Sequence, residues 1–375
     1  MKPLRVLSVI GTRPEAVKMA PVVQKLAQTP GIESLVCVTA QHREMLDQVL
    51  NLFAITPDVD LNLMQPDQSL AQITAAIFTH LDPVIKDLQP DWILAQGDTT
   101  TVMATALLAY YHRVKFGHVE AGLRTGDKFQ PFPEEINRRV AGVAADLHFA
   151  PTEWSKQNLL KENIPADRII VTGNPVIDAL RQVAEKPVPV EIQRLLETFG
   201  RRKLILVTAH RRENFGQPLE NICAALKSLA EIYGDQIHIV YPVHLNPNVK
   251  NVVYPRLEEL SAHITLVPPL DYLPMVHLMK HATLVLTDSG GIQEEAPGFG
   301  VPVLVLRAAT ERPEGIAAGT VKLVGTETAA ILAAARRLLD DSSEYEKMAR
   351  AANPYGDGQA SERIVRALLA DSGMV

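Results

Sequence analysis

The strongest constraint on this chain is an alternation that runs through almost its whole length. A short apolar run is followed by a polar loop, then by a segment with helical apolar spacing, then by the next apolar run. Residues 4–10 make the first such run. Pro14 suits the first turn of a helix, which residues 16–26 continue. Residues 35–39 make the second run. Between 70 and 88, Leu70, Ile73, Ile77, Leu81, Val84 and Leu88 recur three or four residues apart and mark one apolar helix face. Pro83 is expected to kink or split that helix. Further strand candidates are 92–95, 114–119, 147–150 and 169–172. The alternation resumes at 204–208, 237–241, 264–267, 284–287 and 302–306, with Leu219, Ile222, Leu226 and Leu229 forming a helix face between the first two. Short apolar strands alternating with helices predict an α/β fold whose parallel sheets are covered on both faces.

At about 150 residues per domain, 375 residues make two domains the simplest division. The charged, proline-rich Glu185-Lys186-Pro187-Val188-Pro189 falls between the two series. The expected layout is a doubly wound domain at 1–184, a second at 185–357, a cleft between them, and a last helix in 358–375 that packs back on the first. Apolar residues at 47% and charged residues at 21% allow sizeable cores and exclude disorder. A net charge of −6 argues against a nucleic-acid partner held by charge. No apolar run reaches about 18 residues, so a membrane span is not expected. The opening run is too short for a signal peptide, and Arg13 and Glu15 end it with charge. Cys37 and Cys223 are too few for a disulfide framework or a four-cysteine zinc site, and a cytoplasmic chain with reduced thiols is the simplest reading.

Open parallel sheets bind ligands at the carboxyl ends of their strands. Polar residues are concentrated directly after the strand candidates: Gly11-Thr12-Arg13, Gln41-His42, Gln96-Gly97-Asp98-Thr99, His118-Val119-Glu120, His210-Arg211-Arg212-Glu213, His244, and Asp288-Ser289-Gly290-Gly291. The small, glycine-rich turn at Ser289-Gly290-Gly291 can aim backbone N–H groups at a phosphate, or it is an ordinary tight turn. Of Glu294 and Glu295 behind it, one could hold a ribose diol. Arg13 and Lys18 could neutralise a diphosphate, where a surface role is the plain alternative. Asp98 and Glu120 follow strongly apolar strands, where desolvation suits a carboxylate to proton transfer, although Asp98 could equally cap the next helix. Glu134 and Glu135 stand at a helix start, and for one of the two simple helix stabilisation suffices. His210 could donate to a phosphate oxygen or be a structural strand-end histidine.

Other motifs fail. His277-Leu278-Met279-Lys280-His281 lacks the glutamate of a zinc-protease helix and reads as helix surface. Asp58-Val59-Asp60 lies in a Pro-bearing loop and reads as chance. There is no Walker A sequence, no G-x-G-x-x-G after the first strand, and no G-x-S-x-G elbow.

Taken in order, Gly11-Thr12-Arg13-Pro14-Glu15, Gln41-His42-Arg43, Gln96-Gly97-Asp98-Thr99, His118-Val119-Glu120-Ala121-Gly122-Leu123-Arg124, Pro133-Glu134-Glu135, His210-Arg211-Arg212-Glu213-Asn214 and Asp288-Ser289-Gly290-Gly291-Ile292-Gln293-Glu294-Glu295 resemble the non-hydrolysing UDP-N-acetylglucosamine 2-epimerases of bacteria and archaea. The resemblance extends from Gly11 to at least Arg312. It implies two Rossmann-like domains of the glycosyltransferase B type, a homodimer, and neither metal nor nicotinamide cofactor. It implies interconversion of UDP-N-acetylglucosamine and UDP-N-acetylmannosamine through anti elimination of UDP, for supply of cell-surface polysaccharide precursors. Asp98, Glu120 and Glu134 match the family's essential carboxylates, with the base unassigned among them. His210 joins them as a catalytic candidate. Arg13, Lys18, Arg138, Asn174 and His210 match groups serving substrate and diphosphate. Ser289, Gly290 and Gly291 match the phosphate turn, and Glu295 the ribose-binding glutamate. Met275 stands where some members have phenylalanine, which leaves an aromatic contact to uridine open. Gln41, His42 and His244 fit an allosteric substrate site found in some members, whereas Glu44 and Asp67 add acid where activated members align a glutamine and an arginine. The hydrolysing 2-epimerases and glycosyltransferases of the same fold remain the rival classes.

Overall fold

The structure is a computed structural model. It describes residues 2–39, 43–63, 65 and 67–374, with Arg43 and Glu44 described by backbone alone. The chain divides into two compact units, Met1–Ala179 with Tyr355–Val375, and Leu180–Pro354.

The first unit contains β1 (Leu4–Ile10), α1 (Arg13–Gln28), β2 (Ile32–Val38), α2 (Arg43–Leu52), β3 (Val59–Asp60), α3 (Leu70–Leu88), β4 (Trp92–Gln96), α4 (Thr100–His112), β5 (Lys115–Val119), α5 (Glu134–Ala144), β6 (Leu147–Ala150), α6 (Glu153–Lys161) and β7 (Ile169–Val171). The next helix, α7 (Pro175–Ala184), runs across the division. Among the described residues the strands form one seven-stranded parallel sheet in the order β3-β2-β1-β4-β5-β6-β7. Central strands buried on both faces explain the near-continuous apolar runs: every residue of β4 is buried. Leu7, Val9, Ile77, Leu81, Ile93 and Phe116 lie in the core beneath one helical layer.

The second unit contains α8 (Val190–Phe199), β8 (Lys203–Thr208), α9 (Gln217–Tyr233), β9 (Ile237–Pro242), α10 (Pro247–Leu257), β10 (Ile264–Val267), α11 (Tyr272–His281), β11 (Leu284–Thr287), α12 (Gly290–Glu295), β12 (Val303–Val305), α13 (Pro313–Ala318), β13 (Val321–Leu323), α14 (Thr328–Asp340) and α15 (Ser342–Ala349). Its parallel sheet has the order β10-β9-β8-β11-β12-β13. Ile205, Leu226, Ile239 and Leu286 lie in its core. The chain then returns to the first unit as α16 (Ala360–Asp371), which buries Ile364, Val365 and Leu368 and packs on α1. Asp178 ties it down: its carboxylate accepts from Ala360 N at 3.1 Å, from Ser361 N at 2.9 Å and from the Ser361 hydroxyl.

Both sheets reverse direction of winding once, between β1 and β4 and between β8 and β11. At such a switch point the two adjacent connections run to opposite faces, which opens a crevice at the carboxyl ends of the strands. The residues placed there are Gly11 to Glu15 with Gln96 to Asp98 in the first unit, and His210 to Glu213 with Asp288 to Gly291 in the second.

Three expectations need correction. Pro83 does not split its helix, which runs as α3 from Leu70 to Leu88; Pro83 and Thr79, whose carbonyl loses its donor, both lie on the exposed face where water can replace the bond. His277 is 2% exposed, so α11 turns it inward and leaves His281 on the surface. Val59-Asp60 is a two-residue edge strand rather than loop, and Asp58 accepts from Val36 N at 2.8 Å. Among the described residues no group of three or more potential metal ligands comes together, and no helix is long and apolar enough to cross a membrane.

Candidate functional site

In the first unit the strand-end residues converge on Glu120. Its backbone has φ of +63°, a left-handed conformation uncommon for a residue with a Cβ and costing about 1–3 kcal/mol. The side chain is buried and fully engaged. Lys18 Nζ lies 2.6 Å from Oε1, Asn174 Nδ2 donates to Oε1 at 2.8 Å, and Gln96 Nε2 donates to Oε2. Lys18 comes from the second turn of α1, Gln96 from the end of β4, and Asn174 from the start of α7. Asn174 is itself fixed by its backbone N–H, which donates to Tyr355 O at 2.7 Å.

Asp98 has a different partner, Arg138 of α5, which donates to Oδ2. The α4 cap is Thr99, whose hydroxyl accepts from Val102 N, so Asp98 is left out of the helix end. Arg138 is buried and also lies 3.3 Å from Glu135. Glu135 in turn accepts from Thr125 N and Gly126 N and pairs with Arg139, which makes it the structural member of the Glu134–Glu135 pair. Glu134 opens α5, half-buried. Arg13 opens α1, also half-buried. Asp98 and Glu120 are therefore each compensated by a cation, and neither negative charge is buried alone.

Burial pushes the Glu15 carboxyl up to about 7, against the opposing pull of hydrogen bonds from Thr99, Gly11 and Thr12. Its Oε2 accepts from Gly11 N at 2.5 Å and from Thr12 N at 3.2 Å, holding the turn that ends in Arg13. Gly11 is required there: a Cβ would collide with the Thr101 side chain. Thr101 also meets Thr39 hydroxyl to hydroxyl at 3.2 Å, so three strand ends are linked beneath the site. His118 supports the Gly97 turn through a 2.7 Å bond from Nε2 to Gly97 O, and burial holds it at about 4, a neutral donor.

In the second unit Asp288, fully buried at the end of β11, gathers the neighbouring loop. One oxygen accepts from His210 N and Arg211 N, both at 2.8 Å, and from Asn214 Nδ2 at 3.0 Å. His210 is displayed at the surface and stacks on His244 with ring centroids 5.3 Å apart. Burial, His244 and Arg211 lower the His210 pKa, and Asp288 opposes them. The next residue along, Ser289, caps α12 by position without a side-chain bond, and its N–H donates to Thr287 Oγ1 at 2.9 Å. Gly290 and Gly291 follow. A Cβ at Gly290 would lie 2.7 Å from Arg312 Nη1, so glycine lets that guanidinium reach the turn. Arg312 Nε donates to Glu294 at 2.5 Å, and Tyr272 OH donates to Glu295 at 2.8 Å.

The structure thus gathers Lys18, Glu120 and Asn174, joins Asp98 to Arg138, and sets His210 beside His244. Gln41 and His42 lie outside the described residues, as does the Glu44 side chain, and Asp67 is exposed with φ of +55°. Sequence reasoning missed Glu15, Gln96, Asp288 and Arg312 as site residues. All four were visible in the strand-end motifs or near them, but their partners are distant in sequence.

Paired doubly wound units with polar groups gathered at each switch point are the architecture of the glycosyltransferase B class. A sequence model of the family described as UDP-N-acetylglucosamine 2-epimerase matches residues 24–369. A UDP-N-acetylglucosamine 2-epimerase of Salmonella typhimurium is 56% identical over 371 residues, covering 97% of this chain and 98% of that protein. The crystal structure of UDP-GlcNAc 2-epimerase from Neisseria meningitidis bound to UDP-GlcNAc is 52% identical, with a TM-score of 0.89 over 98% of this chain and 100% of that one. The Methanocaldococcus jannaschii UDP-GlcNAc 2-epimerase in complex with UDP-GlcNAc and UDP is 32% identical, with a TM-score of 0.78 over 98% of this chain and 99% of that one. The chain belongs to the UDP-N-acetylglucosamine 2-epimerase family.

Proposed function

We propose that this chain interconverts UDP-N-acetylglucosamine and UDP-N-acetylmannosamine without net hydrolysis, by anti elimination of UDP to 2-acetamidoglucal and re-addition of UDP to the other face. The observation that carries the reading is the pair of strand-end carboxylates, Glu120 with Lys18, Asn174 and Gln96, and Asp98 with Arg138.

The chemistry calls for such groups. The proton on carbon-2 is not next to a carbonyl and is not acidic alone. The bond from carbon-1 to the diphosphate oxygen must stretch first or together with proton loss, which builds positive character at the anomeric carbon. Carboxylates beside it stabilise that charge, and one of Asp98, Glu120 and Glu134 accepts the proton. The electron pair of the breaking carbon–oxygen bond leaves with UDP, where Arg13, His210 and the Ser289-Gly290-Gly291 turn offer donors to the diphosphate. Glu295, steadied by Tyr272, suits the ribose hydroxyls. Re-addition of UDP reverses these steps.

The test is proton NMR of UDP-N-acetylglucosamine with the purified chain in D₂O, without added metal or nicotinamide. Deuterium entering carbon-2 as UDP-N-acetylmannosamine grows is the expected result. Release of N-acetylmannosamine and UDP in proportion to enzyme would overturn the reading in favour of hydrolysis. The same proposal includes a cytoplasmic homodimer feeding polysaccharide precursors. Support for the compartment is the pair of buried free thiols, Cys37 and Cys223, each pushed up to about 12 by burial. Support for self-association is the exposed apolar face of α4 and α5, with Tyr110, Tyr111, Ile136 and Val143. Val143→Glu should convert a dimer into a monomer by light scattering.

A further inference from the structure

We propose that Asp288 is the positioning residue of His210: one carboxylate oxygen fixes the loop that carries the histidine, and the other receives its imidazole Nδ1–H. The proposal deepens the role given to His210 above and rests on it.

The two oxygens of Asp288 are used unequally. Oδ2 accepts from His210 N, Arg211 N and Asn214 Nδ2, which saturates it. Oδ1 is buried and has no hydrogen-bond partner among the described residues, yet it faces His210 Nδ1 at 3.9 Å. A buried carboxylate oxygen left without a donor is costly, and native structures rarely keep one. Closing the gap by about 1 Å, a small rotation of the imidazole, makes the bond. No other donor is required.

The consequence is chemical. A carboxylate holding Nδ1–H fixes the tautomer and orientation of the ring, leaves Nε2 facing outward, and stabilises the imidazolium without taking its proton. In the imidazolium that Asp288 stabilises, the outward Nε2–H donates to a diphosphate oxygen as negative charge collects there on departure. The groups that face His210 are Asp288 from the end of β11, His244 from the loop after β9, and Arg211 beside it in the chain. Arg211 is in turn flanked by Arg307, Glu311 and Glu213. Among the groups acting on His210, Asp288 is the one that favours the charged ring, while burial, His244 and Arg211 oppose it. Asp288 also directly precedes the Ser289-Gly290-Gly291 turn, so one residue sets the histidine loop and begins the phosphate turn.

Asp288→Asn separates the two jobs. Its amide oxygen can keep the three donors at Oδ2, while an NH₂ replaces the acceptor facing His210. Histidine labelled with ¹⁵N in the ring, with His210 assigned by loss of its signal in His210→Gln, reports tautomer and titration. In the unmutated chain the neutral His210 ring is expected as the Nδ1–H tautomer, and an Nε2–H tautomer overturns the proposal whether or not any variant folds. In Asp288→Asn the His210 midpoint is expected to fall by about one pH unit, with kcat down at least about tenfold and KM within about threefold. In the His210→Gln background the same change should cost less than about twofold. An unchanged midpoint, or an equal loss with and without His210, assigns Asp288 to the loop alone and overturns the proposal. Full activity of His210→Gln would refute the role given to His210, while a shifted midpoint in Asp288→Asn would still uphold the Asp288–His210 bond.

Discussion

Glu15→Gln should remove a specific pH dependence from the stability of the first unit. Glu15 is 2% exposed and burial raises its pKa from 4.5 to about 7. Between those values the unfolded chain is ionised at Glu15 while the folded chain still holds the proton. The unfolded state then binds fewer protons, so the contribution of Glu15 to stability is fully present below pH 4.5 and is lost as pH rises through 7. At about 1.4 kcal/mol for each pH unit, the loss comes to about 3 kcal/mol. Glutamine keeps an acceptor for Gly11 N and Thr12 N but does not titrate. The stability of the variant relative to the parent should therefore rise by about 3 kcal/mol between pH 4.5 and pH 8. Urea unfolding followed by tryptophan fluorescence is the assay. Both tryptophans, Trp92 and Trp154, belong to the first unit, so the signal reports the unit that contains Glu15. Every other titrating group cancels in the difference between the two proteins. Parallel pH profiles, differing by a constant, would refute the argument.

Glu120→Gln should lower kcat about a thousandfold with an intact fold, and deuterium exchange at carbon-2 should fall in step with turnover. Glu135→Ala leaves Arg138 buried against Asp98 alone and removes the acceptor for Thr125 N and Gly126 N. It should cost about 3–5 kcal/mol in urea unfolding. Asp178→Ala withdraws the acceptor of Ala360 N and Ser361 N, and protease cleavage between residues 355 and 360 should accelerate at least about tenfold.

The architecture was legible because parallel strands buried on both faces need unbroken apolar runs, and the polar residues that end them stand at the sheet's carboxyl edge. The run at 4–10 coincides with β1. Edge strands carry no such signal: Val59–Asp60 and Val321–Leu323 are too short for any period. Pro83 does not end α3 because its cost depends on which face it occupies, and sequence does not state what the opposite face meets. Strand-end position was enough to single out Asp98 and Glu120. It could not say that Lys18 and Asn174, 102 and 54 residues away from Glu120, would be their company. In the sequence Asp288 stands out only as part of a motif, since its donors lie 74 to 78 residues upstream. That burial pushes the Glu15 carboxyl up was not legible either, because desolvation is decided by what covers a side chain and not by its place in the sequence.

The return of α16 to the first unit has a consequence for how the protein is made. Asp178 leaves the ribosome long before Ala360, its partner 182 residues later. The contiguous second unit emerges complete while the first still lacks its final helix. The order of synthesis is therefore not the order of completion. Tyr355, which receives the Asn174 N–H, arrives with that last segment, and Asn174 is a support of Glu120. A chain released early, through truncation or a stalled ribosome, would contain the Ser289-Gly290-Gly291 turn but lack the carbonyl that holds Asn174 behind Glu120. The segment from Tyr355 onward therefore completes the first unit after the second is already whole.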